Sequence, residues 1–337
     1  MKIAIHHRPG SFSDRWIEYC KKNGIPFKLV NAYDTDIIQQ LRDCDAFMWH
    51  FHHHNYKDVL FAKQLIFSLQ VAGKKCYPDV NTCWHFDDKV GQKYLLESIG
   101  APLISSYIFY TKQEALNWIS ETSFPKVFKL RGGSGSQNVQ LVRDSNVAKK
   151  LINIAFGNGF SQYSSLRDLK DRFGKWKAGR ASFSYFSKGI GRLVIPPQYA
   201  KMLQKEKGYV YFQDFIPNNT FDIRVCVVGD KAFALKRLTR DGDFRASGSG
   251  SIVYDKNQID ERCVQTAFDV NKELKSQSTA FDFVFNEDHE PLIVEISFGY
   301  TIKAYDECEG YWTEDMQWHE GAHFDICGWM VDDLIKK

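Results

Sequence analysis

No stretch of this sequence approaches the run of apolar residues that a bilayer demands, and the opening "MKIAIHHRPG" lacks the apolar region of a secretory signal. Cysteines are few and scattered. The eight, at 20, 44, 76, 83, 226, 263, 308 and 327, form no CxxC pair and no framework spacing. A disulfide scaffold is thereby excluded, and reduced core residues of a cytoplasmic protein are expected. Charge of one sign is also scarce: 44 Lys and Arg against 41 Asp and Glu leave a formal net charge of +3, too little for nucleic acid as main partner. Internal repeats and low-complexity tracts are missing. What is present is 337 residues, 44% hydrophobic and 25% charged, enough for two or three lobes with real cores.

The first eighty residues alternate strand and helix patterns. "KIAIHH", "PFKLV", "DAFMWHF" and "KKCYPD" read as strands, with helical periodicity in "SDRWIEYCKKNG", "DTDIIQQLRDC" and "KDVLFAKQLIFSLQVAG" between them. This pattern predicts a small parallel sheet covered by helices, with ligands at the carboxyl ends of its strands. Later, "GYVYFQDFI", "FDIRVCVVG", "KAFALKRL", "TAFDFVF" and "PLIVEIS" cluster as strands around the helix "DERCVQTAFDVNKEL", which predicts an α+β lobe built on antiparallel hairpins.

Between strand patterns, "FKLRGGSGSQNVQLV" (128–142) sets Lys129 before a glycine-serine loop. The loop fits neither the Walker pattern nor the dinucleotide fingerprint. Its glycines still allow backbone N–H groups to converge on an anion, with Lys129 supplying charge; a simple mobile hairpin is the plain alternative. In "TAFDFVFNEDHEPLIVEIS", a turn centred on Asp288 and His289 places Asp282 opposite Glu295, with Ser297 on the same face. Two facing carboxylates in an apolar sheet repel unless compensated. Magnesium is the best compensating cation, because it takes one or two carboxylates and completes its shell with water and phosphates. Pairing with nearby lysine or arginine is the alternative. Arg224, Lys236, Arg237 and Arg245 lie on or beside apolar strands, and Asp222 neutralises at most one of them. Such a set calls for a polyanion, and a nucleoside triphosphate with magnesium satisfies all three features.

The order of these motifs resembles the ATP-grasp superfamily, most closely its branch of glutathione synthetase-like and ribosomal-protein glutamate ligases. "DDKVGQKYLLESIGAP", "PKVFKLRGGSGSQNV", "YFQDFI", "FDIRVCVVG", "LKRL", "DFRAS" and "FDFVF…LIVEIS" carry it along most of the chain. The closing "ISFGYTIKAYDECEGYWTEDMQWHEG" resembles uncharacterised bacterial members that accompany surface-polysaccharide genes. The resemblance implies a Rossmann-like domain (1–82), a small lobe with the glycine loop and a basic insertion at 157–207 (83–216), and a large lobe with the metal site (217–337). ATP and Mg²⁺ are the implied cofactors. Lys89, Lys129 and Lys236 would meet ATP, the loop Gly132, Gly133, Ser134, Gly135 and Ser136 would fold over its phosphates, and Gln213, Asp214, Phe215 and Ile216 would hold adenine. Arg224, Arg237 and Arg245 would line the reacting centre, and Asp282, Glu295 and Ser297 would hold metal. Ser297 stands where better-known members carry asparagine, so its shorter hydroxyl would act through water.

The implied reaction is carboxylate-amine ligation through an acyl phosphate, with a sugar or surface-polysaccharide precursor as one candidate for modification. A kinase acting on a sugar or inositol hydroxyl and a non-catalytic ATP-binding protein are the alternatives. For the substrates, Arg8, His6, His7, His52, His53 and His54 sit at strand ends of the leading domain. The partners expected are a small-molecule acid and amine, with a nucleotide sugar, a glycan or a second copy of the chain as further candidates. The basic insertion reads first as a solvated charged face. The tail aromatics Tyr311, Trp312, Trp318 and Trp329 read as core.

Overall fold

In the computed structural model, which describes residues 1–133, 138–163, 165–177, 179, 181–195, 197–202, 204–240 and 251–336, the chain divides into two compact units. The first comprises Met1–His53, Lys57–Ser105 and Ile216–Lys337, and the second His54–Tyr56 and Ser106–Phe215. The expected boundary after residue 216 falls within one residue of this division, whereas the one after 82 has no counterpart in it. The leading domain and the last lobe share one core, so they fall in one unit.

That sharing begins with β1 (Ile3–His6), β2 (Phe27–Val30), β3 (Ala46–Met48) and β4 (Lys75–Tyr77), which pair in parallel in the order β2-β1-β3-β4. Parallel strands need crossovers, and the alternating pattern supplies them. The helix Phe12–Lys22 is capped by Ser11 and buries Phe12, Trp16 and Cys20, one stripe spaced by four residues. That stripe packs with Ile3 and Ile5, with Cys226 and Phe233 of the later sheet, and with Cys327, Met330 and Val331 of the last helix, Ile326–Lys336. Arg15 clasps Asp306 at 2.6 and 2.7 Å, and the Tyr19 hydroxyl donates to Asp332 at 2.8 Å.

The second unit is an antiparallel sheet of β5 (Ser106–Phe109), β6 (Lys126–Lys129), β7 (Val139–Val142) and β8 (Val210–Asp214), in the order β5-β8-β6-β7. Helices Lys112–Glu121 and Ser145–Ala155 cover it through Ala115, Ile119, Ala148 and Ile152. The basic insertion is helical here, with segments Ser165–Lys177, Phe183–Val194 and Gln198–Met202. It is more than a solvated charged face. Trp176 stacks on Phe186 with ring centroids 5.3 Å apart, and Arg172 pairs with Asp168 at 2.8 Å, while Phe183, Val194 and Ile195 remain exposed.

The first unit resumes with β9 (Phe221–Val228), β10 (Lys231–Leu238), β11 (Ile252–Val253), β12 (Ser278–Phe285), β13 (Pro291–Ser297), β14 (Gly310–Thr313) and β15 (Trp318–Glu320). Their order is β13-β12-β9-β10-β14-β15, with β11 added to β10. Helix Glu261–Leu274 buries Cys263, Val264, Ala267 and Phe268 with Ile223, Val225 and Phe281 of this sheet. Trp312 is buried as the tail aromatics predict.

Candidate functional site

Strand register builds a row of charge across the antiparallel sheet. Arg237 on β10 stands opposite Asp222 on β9, Arg224 on β9 opposite Asp282 on β12, and Asp282 opposite Glu295 on β13. The facing of Asp282 and Glu295 is the one that the sequence predicts. Asp222 and Arg224 are two residues apart on one strand, so the whole row shares a face. Phe233 and Leu235 lie on that same face of β10 and enter the shared core.

The compensation of these carboxylates differs from the expected metal pair. Arg224 donates to both Asp282 oxygens, at 2.5 and 2.6 Å, and Arg237 reaches Asp282 at 3.0 Å while it clasps Asp222 at 2.5 and 2.6 Å. Asp282 is only 4% exposed. Burial alone would raise its carboxyl, yet Arg224 and Arg237 outweigh burial and hold it well below the usual carboxylate range. At Asp222 burial is the larger influence and, against the pull of Arg237, lifts the carboxyl. In this arrangement Asp282 does not fit a metal ligand: its oxygens are engaged by guanidinium groups, and a cation would have to displace one. Among the described residues no group of three or more His, Cys, Asp or Glu side chains is arranged to hold a metal ion.

Glu295 is different. Its side chain is half-buried, 3.7 Å from Lys89 Nζ, and Ser297 follows it on the same face, its hydroxyl accepting from the Gly299 N–H at 3.1 Å. Lys89 opens the helix Lys89–Ser98, which Asp88 caps by accepting from the Gly91 N–H. Gln92 fixes that helix against β13: its amide donates to the Ile296 carbonyl at 2.8 Å and accepts from the Ile296 N–H at 3.3 Å. One carboxylate and a hydroxyl suit a magnesium ion that takes its other ligands from phosphates and water. Lys236 is engaged locally, 3.3 Å from Gln258 and over the Phe221 ring at 4.0 Å.

In the second unit, Lys129 is buried on β6 and donates to Gln213 Oε1 at 2.6 Å, while Gln213 donates to Ser106 at 3.2 Å. Lys126 escaped the sequence reading. It is buried on the same strand, pairs with Asp214 at 2.5 Å and lies over Tyr107 and Trp118. Its signal was legible as a second lysine three residues before Lys129. Phe215 and Ile216 follow β8, where the chain passes from the second unit to the first. Gly132 and Gly133 begin the glycine loop, with Gly133 at φ +115, a conformation open to glycine. Ser134, Gly135, Ser136 and Arg245 lie outside the described residues.

The six residues assigned to substrate separate. His6 is spent in the core: its Nδ1 accepts from the Ala32 N–H at 2.9 Å, and its ring meets Tyr33 and Trp49 edge-on. His7 is exposed beside Ser13 and Asp14. His53 stacks on His52 at 4.3 Å, and His54 belongs to the short segment counted with the second unit. Arg8 and His52 line a cavity at the carboxyl ends of β1 and β3. His50 lines it too and was missed. It follows the apolar "AFMW" that begins with β3, near the end at which a parallel sheet presents its ligands.

Residues 187–310 match the family model of the RimK-like ATP-grasp domain. Among solved structures the chain is similar to a RimK domain ATP-grasp protein from Sphaerobacter thermophilus (14% identity, TM-score 0.59, 99% of this chain and 100% of that one). It is also similar to the D-alanine–D-alanine ligase of Bacillus anthracis (14% identity, TM-score 0.56, 100% and 98% of the two chains). A third is the biotin carboxylase domain of the Hydrogenobacter thermophilus 2-oxoglutarate carboxylase, solved with MgADP, ADP and bicarbonate (14% identity, TM-score 0.59, 100% and 70%). No curated protein matches the sequence. Residues 187–310 thus match a RimK-like ATP-grasp domain, and the chain shares the fold of these solved structures.

Proposed function

We propose that this chain is an ATP-dependent, ADP-forming carboxylate-amine ligase. The observation that carries the reading is the pair of guanidinium groups, Arg224 and Arg237, fixed on neighbouring strands by Asp282 and Asp222 within the region that matches the RimK-like domain. A guanidinium has five N–H donors. Arg224 commits two of its N–H groups to Asp282, which leaves donors for a phosphoryl or acyl oxygen whose charge grows during transfer. The carboxylates hold the guanidinium planes in place before substrate arrives, so no reorganisation is needed when charge develops.

The substrate carboxylate attacks the γ-phosphorus of ATP, and ADP leaves. An amine then attacks the acyl-phosphate carbonyl, inorganic phosphate departs, and an amide remains. Lys89, beside Glu295 in the first unit, supplies cationic charge to the triphosphate. Glu295, with Ser297 beside it, would hold magnesium, which when bound neutralises phosphate charge. The protein supplies no nucleophile; its work is positioning and charge stabilisation. A sugar or surface-polysaccharide precursor is the acceptor to try first, on the resemblance of the closing segment alone.

Hydroxylamine tests the reaction type. With ATP and an acid substrate the ligase yields a hydroxamate and ADP, whereas a kinase on the same scaffold yields ADP and no hydroxamate. Arg224→Ala should lower turnover about 10²- to 10³-fold, the usual loss for one charge-stabilising donor. Full turnover in that variant would remove Arg224 from the reacting centre.

A further inference from the structure

The cavity at the carboxyl ends of β1 and β3 has a volume of about 180 Å³ and lies wholly within the first unit. A water needs roughly 10 to 15 Å³ of such space, so the cavity has room for a molecule on the order of ten heavy atoms. Two of its wall residues carry buried donors with no acceptor. The Phe12 N–H donates to His50 Nδ1 at 3.2 Å, which places the ring proton on Nε2, and that buried Nε2 meets no partner among the described residues. His50 is 6% exposed and its ring lies flat on Phe12 at 3.6 Å, so it cannot turn toward solvent. Arg8 places one nitrogen 3.4 Å from the His50 carbonyl, and its buried Nε is likewise unpartnered. An orphaned buried donor is costly, and native proteins retain few without a use.

The other charges around the cavity narrow the ligand class. Arg15 is committed to Asp306, and Asp14 accepts from the Gly10 N–H at 2.7 Å and lies 3.5 Å from His7. Arg8 therefore remains as the wall cation, with exposed Lys303 at the rim and a neutral imidazole N–H beside it. One guanidinium and one neutral donor match a singly charged planar acceptor; a phosphate dianion would also face the Asp14 carboxylate. Phe12, Tyr300 and Ile302 complete the wall with apolar surface. We propose that this cavity anchors a small organic carboxylate with an apolar body, through the Arg8 guanidinium and the His50 Nε2–H, as the acid or carboxylate-bearing substrate of the ligase. The inference rests on the ligase reading only for the ligand's later fate.

The test is binding without nucleotide. In protein labelled at histidine nitrogen, propionate should shift the His50 Nε2 resonance saturably, and propionamide and inorganic phosphate should leave it in place. Arg8→Gln should weaken propionate binding at least tenfold, whereas His7→Ala, outside the wall, should change it less than twofold. The proposal is overturned if propionate gives no saturable shift, if Arg8→Gln binds it equally well, or if the amide or phosphate binds as tightly. ADP release and hydroxamate formation are measured separately, so a carboxylate anchor that fails leaves a functioning ligase visible, and the reverse.

Discussion

Two places in the first unit bury charge, and they settle it in opposite ways. Across β10, β9 and β12 the row Arg237, Asp222, Arg224, Asp282 closes on itself, each carboxylate clasped by a guanidinium. At the ends of β1 and β3, Arg8 and His50 keep donors that meet no acceptor among the described residues. A closed set of ions holds its members in position, and an open set of donors is available for an incoming acceptor. The two patterns therefore mark different tasks, positioning and recognition, within one lobe.

The contrast breaks most sharply at Asp282. Asp282→Ala strips Arg224 of its carboxylate while Arg237 keeps only Asp222, and should cost about 3 to 5 kcal/mol of unfolding free energy, measured by urea denaturation. Arg8→Gln removes no ion pair and should cost less than about 1 kcal/mol in the same measurement. A large loss at Arg8 would mean that its charge is structurally committed after all.

Acid should separate the regions next. Burial depresses His85 to about 4 and His6 to about 4, and holds His50 far below its ordinary value. The unfolded chain binds protons at these histidines below about pH 6.5 and the folded chain does not, so stability falls as pH drops from there toward 4. His85 alone contributes on the order of 3 kcal/mol to that fall, at about 1.4 kcal/mol per pKa unit. Asp282, depressed by its arginines, contributes stability that is present above its ordinary carboxyl value of 3.8 and is lost only below it. Equilibrium unfolding across pH should show two windows, and Asp282→Asn should shrink the lower one, to which other paired carboxylates such as Asp306 also contribute, while sparing the upper. The smallest effect belongs to His7, whose exposed ring should tolerate alanine within about 0.5 kcal/mol.

Much of this lobe was legible in the sequence where the information is local. The alternation of "TAFDFVF" and "PLIVEIS" about a polar turn places Asp282 against Glu295, and the register agrees. The arginine partners of Asp282 were named but not paired, because β9 inserts between β10 and β12, and strand order is not written in a local pattern. The shared core of the leading and closing segments was invisible for the same reason: Trp16 and Met330 meet across more than three hundred residues. His50 is hard to read from the sequence because the run His52–His54 carries the more conspicuous histidines. The informative position is the last strand-end residue, where the ring is pinned by Phe12 and keeps only one nitrogen for use.

The Gln92 brace has a consequence beyond the placement of Lys89. β13 is the outermost strand on its side, and such a rim ordinarily invites pairing with a neighbouring molecule. Here the Gln92 amide covers Ile296, and Pro102 and Ile104 bond the Ile293 backbone at 2.7 and 3.2 Å, so the rim is sealed by the chain's own connector. Gln92→Leu would unseal part of it, and self-association into fibrous or amorphous precipitate is the hazard that this single amide guards against.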